Sequence, residues 1–179
     1  MSVLSTTNAP PAFELPAALL EQGYGLRPEA DADIPFLMAL FATTREEELS
    51  PLPWTAEQKA AFCAQQFYAQ RHHYYAELMP CRFDVITHRD APIGRLYLQE
   101  NKSQFYVVDV SLMPDIRGRG LGTAIFSALH EAARASGRSV GFMVEKFNRA
   151  LGLYRRLGYR EVEDYGVYFG MVWTPEGVS

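Results

Sequence analysis

The sequence is short of cysteine, and what it has is poorly placed for chemistry. Cys63 and Cys81 stand apart, with no CxxC partner and no histidine at ligand spacing, so neither a disulfide framework nor a metal site is suggested, and a reduced, cytoplasmic setting is expected. Long apolar runs are also missing. No stretch approaches the roughly eighteen apolar residues of a membrane span, and the N-terminus shows no basic segment followed by an apolar one; a membrane or export role is not expected. Basic excess is lacking too: 17 Lys and Arg against 21 Asp and Glu leave a net charge of -4, which argues against non-specific nucleic-acid binding because a phosphate backbone rewards a basic surface.

What is present is ordinary globular composition, 48% hydrophobic and 21% charged over 179 residues, enough for one domain with a real core. Residues 1–23, rich in Ala and Pro, are expected to form a loose leader, and 24–175 a single domain. "YGLRP" from Tyr24 reads as a strand. Ile34, Leu37, Met38 and Phe41 then recur at helical spacing, with Pro35 tolerated in the first turn. The acidic "TTREEEL" follows as a solvated helix end or loop. Thr55 and Gln58 have the spacing of a capping box that opens a helix to about Tyr75, on which His72 and His73 have no ligand companions.

Three strands come next, Arg82 to His88, Ile93 to Glu100 and Gln104 to Leu112, bounded by turn residues and read as an antiparallel meander. After "RGRGLG", Leu121, Ala124, Ile125, Ala128, Leu129 and Ala132 mark an amphipathic helix ending near Gly137. "SVGFMVE" is a strand to Glu145, Asn148 starts a short helix, and strands from Tyr159 and Val167 close the domain. The order β-α-α-β-β-β-α-β-α-β-β predicts a mixed α/β (α+β) sheet, parallel only where strand, helix and strand surround the glycine loop.

That loop, Arg117 to Gly122, stands where a strand passes into a helix. A helix N-terminus carries unsatisfied N–H groups and partial positive charge, and glycines let an anion approach them. Arg117 and Arg119 add donors that suit a phosphate or pyrophosphate. A Walker loop needs Lys and then Ser or Thr after its last glycine, but Thr123 and Ala124 follow Gly122; a dinucleotide fingerprint needs a third glycine where Thr123 stands. The spelling that fits is R-x-x-G-x-G, at Arg117, Gly120 and Gly122.

With "VEKFNRALGLYRRLGY" downstream, carrying Asn148, Ala150, Leu153, Tyr154, Leu157, Gly158 and Tyr159, the stretch from about Val107 to Trp173 resembles the GNAT superfamily of acetyl-CoA-dependent N-acyltransferases. The resemblance implies a sheet splayed between the strands ending at Leu112 and Glu145, with acetyl-CoA as co-substrate in the gap and no metal. Main-chain groups of Leu112 and Met113 would hold the acetyl-pantetheine end. The amides of Gly118, Arg119, Gly120, Leu121, Gly122 and Thr123 would meet the pyrophosphate. Asn148 would bond the pantetheine arm, Leu153 would contact the coenzyme, and Tyr154 would lie beside the sulfur and protonate it.

Each of these residues also has a plain structural reading. Asn148 is a helix cap, Tyr154 lies on an apolar stripe, and Glu145 ends a strand as base or surface charge. Glu46, Glu47 and Glu48 border the expected acceptor side or form a solvated end. Tyr106, sharing a face with Val108 and Val110 by alternation, touches substrate or packs; the side of Asp109 stays open. The implied activity is acetyl transfer to the amine of a small molecule or peptide; the alternative is a non-catalytic acyl-CoA-binding sensor or interaction module. Edge strands near the C-terminus admit a homodimer.

Overall fold

The computed structural model describes residues 12–177. Its elements run α1 (Ala17–Glu21), β1 (Tyr24–Pro28), a 3-10 turn (Asp31–Asp33), α2 (Ile34–Leu49), α3 (Ala56–Glu77), β2 (Arg82–His88), β3 (Ala91–Glu100), β4 (Gln104–Leu112), α4 (Leu121–Ser136), β5 (Ser139–Glu145), α5 (Leu151–Arg156), β6 (Arg160–Asp164) and β7 (Tyr168–Trp173). The expected order is therefore present, with one helix added at the front. The expected leader needs correction: residues 1–11 lie outside the described residues, but Phe13, Leu15 and Leu19 are buried in the main core. Prolines break a long helix there, yet apolar spacing still anchors the segment. Of the two readings of the acidic stretch, the structure takes the helix end: Glu46, Glu47 and Glu48 are exposed in the last turn of α2, before buried Leu49. Thr55 caps α3 reciprocally with Gln58.

One seven-stranded sheet has the order β1-β2-β3-β4-β5-β7-β6. Only β4 and β5 pair in parallel, as a crossover through one helix requires. One face carries α1, α4 and α5, where Ile125, Phe126, Leu129, Leu151 and Tyr154 join Val140, Phe142 and Val144 in the larger core. The other carries α2 and α3 through Leu37, Phe41, Phe67 and Val85. α4 follows its apolar stripe and ends on Gly137 in the left-handed conformation, φ 65°.

The site is positioned by what the β4–β5 pairing lacks. Partners are Gln104 with Ser139, Phe105 with Val140 and Tyr106 with Gly141; beyond them the two strands have no ladder. β4 from Val107 and β5 from Phe142 thus diverge, and the mouth opens between Leu112 and Glu145.

Candidate active site

Strand geometry decides which groups of β4 face the splay. The Met113 amide donates to the Ile93 carbonyl at 2.9 Å. In an antiparallel ladder the hydrogen-bonding direction alternates, so Leu112, opposite Gly94, turns its N–H and C=O away from β3 and into the gap. Val110 does the same two residues earlier. The expectation for Leu112 fits this arrangement. That for Met113 does not, since its amide is spent on Ile93 and its carbonyl accepts from Ile116.

A bulge re-aims the rest of β4. Tyr97 pairs with Asp109 and Leu98 with Val107, leaving Val108 without a partner on β3. Side-chain alternation is reset there: Phe105 and Val107 enter the core with Val110 and Leu112, whereas Tyr106, Asp109 and Ser111 take the α3 face. The expectation that Tyr106 shares a face with Val110 is therefore overturned. Asp109 accepts from Arg95 Nε (3.2 Å) and Nη2 (2.7 Å), Tyr74 (3.3 Å) and Ser111 (2.9 Å). Its oxygens are saturated by donors, and Arg95 is 2% exposed, so this pair is a fixed, fully hydrogen-bonded charge array. Nothing in the local sequence signals it, because the pairing depends on inter-strand register.

The glycine loop has the geometry of an anion cradle. Gly118 and Gly120 adopt φ of 72° and 88°, a region costly for residues with a Cβ. A Cβ at Gly118, Gly120 or Gly122 would meet nothing within 4 Å, so the three glycines border open space. The first turn of α4 cannot satisfy its own amides, and among the described residues those of Gly118 to Thr123 donate to no loop carbonyl. The two arginines separate here. Arg119 is exposed and makes no hydrogen bond or ion pair with a described residue. Arg117 instead reaches back to the Leu112 carbonyl and the Thr43 hydroxyl, each at 2.7 Å, rather than lying along the loop amides.

On the far lip, Asn148 is exposed and its side-chain oxygen accepts from the Ala150 amide at 2.8 Å, leaving the amide nitrogen available. Leu153 is partly buried on α5. Tyr154 is 8% exposed and packs against Phe142 and Phe126, with ring centroids at 4.5 and 5.1 Å. Its hydroxyl has no hydrogen-bond partner among the described residues, yet it is not sealed off from solvent. Burial, aided by the Asp109 charge, pushes this phenol up to about 12, so it stays protonated at neutral pH.

Glu145 is exposed at the end of β5, 3.4 Å from the Tyr168 hydroxyl. It lies on the face opposite Val144, the same face as Tyr106. Glu47 pairs with Arg149 of the β5–α5 loop, and Glu48 with Arg45. Burial pushes the Cys81 thiol up to about 11 and raises Cys63 also, so neither is primed as a nucleophile. A separate cavity of about 350 Å3 against β1 and β2, lined by Glu29, Cys81 and Asp84 among others, shares no residue with the cleft.

A family profile described as an acetyltransferase (GNAT) domain matches residues 69–161, just over half of the chain. The chain belongs to the GNAT acetyltransferase family. The coarse activity that membership brings is acyl transfer from an acyl-coenzyme A. No curated protein matches the sequence. Among solved structures, the PaiA N-acetyltransferase of Thermoplasma acidophilum in complex with coenzyme A has 12% identity and a TM-score of 0.63, covering 85% of this GNAT chain and 99% of its own. An acetyltransferase of Thermus thermophilus has 19% identity and a TM-score of 0.59, with 85% and 97% covered. Arabidopsis thaliana Naa50, in complex with the bisubstrate analogue CoA-Ac-MVNAL, has 13% identity and a TM-score of 0.54, with 86% and 99% covered. At such identities the likeness shows the GNAT fold, seen here in the splayed strands and the loop between them.

Proposed function

We propose that this GNAT protein is an N-acetyltransferase that moves an acetyl group from acetyl-CoA to an amine by direct transfer, with both substrates bound together. The observation that carries the reading is the junction of three features at one mouth: free loop amides, the inward-facing Leu112 N–H and the unpartnered Tyr154 hydroxyl. Bound acetyl-CoA supplies an acyl group already activated on sulfur. The amides of Gly118 to Thr123, with Arg119, suit its pyrophosphate, because hydrogen bonds and the helix dipole act on an anion together. The Asn148 amide group suits the pantetheine arm.

The Leu112 N–H is a donor aimed where a thioester carbonyl would lie beside β4, and a donor fixed in advance stabilises charge that develops there. Tyr154 delivers a proton toward a departing thiolate. An alkyl amine is protonated near neutral pH and must lose that proton before it attacks. Glu145, exposed and without a cationic partner among the described residues, takes the proton, through water where the distance requires. The acceptor enters from the α2 and α3 side, where Tyr106, Glu145 and the acidic end of α2 border the opening. The two unpaired cysteines suit work in a reducing, cytoplasmic compartment.

Purified protein mixed with acetyl-CoA and a panel of amines, with free thiol followed over time, tests the reading. Amine-dependent thiol release with an acetylated product by mass spectrometry is expected. Thermal stabilisation by coenzyme A without thiol release from any amine of a broad panel would point instead to a module that binds acyl-CoA without catalysis.

A further inference from the structure

We propose that Arg117 is a positioning residue for the transfer step, not a ligand of the pyrophosphate. The inference deepens the acetyl-transfer reading and rests on it. The turn before Arg117 is closed by Ile116 donating to Met113 and Arg117 donating to Pro114, which reverses the chain. The guanidinium is thereby sent back over β4 rather than along the loop amides. Its Nε donates to the Leu112 carbonyl and its Nη2 to the Thr43 hydroxyl, both at 2.7 Å. Thr43 donates its own proton to the Leu40 carbonyl of α2 at 2.8 Å.

The Leu112 carbonyl faces the splay, beside the N–H that the acyl oxygen would use. Left bare, its negative end would oppose the charge that gathers on that oxygen; covered by a guanidinium, it leaves a net positive field there. The same side chain ties β4 to α2, the helix on the acceptor side. A second tie runs from Glu47 to Arg149 on the opposite lip. Thr43 and Glu47 are four residues apart and so share one face of α2. Each lip of the cleft thus holds the same helix face by an arginine, which sets the acceptor side in register with the thioester. A lysine lacks the planar fork that serves both acceptors at once.

The test compares Arg117→Ala, Arg117→Lys, Thr43→Val and Arg119→Ala by calorimetry with coenzyme A, by steady-state kinetics with the best amine of the panel, and by infrared spectra of bound carbonyl-labelled acetyl-CoA. Arg117→Ala is expected to keep the coenzyme A Kd within about threefold while kcat falls about tenfold or more, with Lys restoring little. Thr43→Val, which removes the tie of Arg117 to α2 along with the hydroxyl's bond to the Leu40 carbonyl of its own helix, should raise the acceptor KM and leave the coenzyme KM alone. Arg119→Ala should weaken coenzyme A. The carbonyl band displaced on binding to the parent protein should return toward its free position in Arg117→Ala but not in Arg119→Ala.

If the parent protein acetylates no amine, the functional reading fails, and the carbonyl band alone decides the role of Arg117. A coenzyme A Kd raised about tenfold in Arg117→Ala, or a carbonyl band unmoved by that change, would overturn the proposal. So would Thr43→Val kinetics equal to the parent's.

Discussion

Replacing Tyr154 with phenylalanine removes one oxygen and leaves the ring where it packs, 4.5 Å from Phe142 and 5.1 Å from Phe126. The hydroxyl serves no described residue as donor or acceptor, so its loss orphans nothing and should change stability by under about 0.5 kcal/mol. The kinetic effect is expected to be larger. A positioned acid contributes about a hundredfold or more, but a thiolate is a tolerable leaving group, with a pKa near that of an ordinary thiol, about 8.5. A fall in kcat of about ten- to a hundredfold follows, or about 1.4 to 2.7 kcal/mol of barrier.

The coenzyme Kd should not move, because the proton is passed only as the sulfur departs. The raised phenol adds a second expectation. With a folded value of about 12, above the ordinary 10, Tyr154 keeps its proton through the whole working range. Activity should therefore show no alkaline loss from this group below about pH 10. Thiol-release kinetics from about pH 6 to about pH 9.5, with calorimetry alongside, make the measurement. Unchanged kcat in Tyr154→Phe would remove the hydroxyl from the mechanism.

Other expectations follow from single contacts. Gly120→Ala places a Cβ at φ 88°, at a cost of about 1 to 2 kcal/mol, and projects it into the anion cradle; coenzyme A affinity by calorimetry should fall about tenfold. In Gly94→Ala the new Cβ would stand 2.4 Å from the Ser111 carbonyl oxygen and 2.8 Å from the Leu112 side chain. β4 must move, which should lower urea-derived stability by about 1 to 3 kcal/mol and disturb the Leu112 N–H. His130, stacked on Trp173 at 4.0 Å with its Nε2 unsatisfied, is held down at about 4 by burial and by Arg134. Because the folded value lies below the unfolded value of about 6.5, stability is whole above that pH and is lost as pH falls toward 4, up to about 3 kcal/mol. His130→Phe should flatten that part of the urea midpoint against pH profile.

Much of the architecture is legible in short signals. The strands Arg82–His88, Gln104–Leu112 and Ser139–Glu145 match their expected bounds because turn residues punctuate both ends. The capping box at Thr55 and the glycine at the end of α4 are local devices read from a few residues. Legibility fails where long-range geometry decides. The bulge at Val108 has no composition of its own, yet it moves Tyr106 to the face opposite Val110, where Asp109 lies. The Asp109–Arg95 pair exists only once β3 and β4 are in register. A motif beside glycines points Arg117 at phosphate, and only the position of α2 shows that Thr43 and Leu112 take its fork. Phe13 and Leu15 read as leader because prolines hide an apolar pattern that docks without a long helix.

The central claim is that a diphosphate rests on the amides of Gly118 to Thr123 while a thioester lies between β4 and β5. A crystal structure of the protein with acetyl-CoA tests it most directly. The expected result is diphosphate oxygens within hydrogen-bond distance of those amides and the acyl carbonyl facing the Leu112 N–H, with Tyr154 beside the sulfur. Coenzyme bound elsewhere, or a cleft closed by its own side chains at saturating acetyl-CoA, would contradict it.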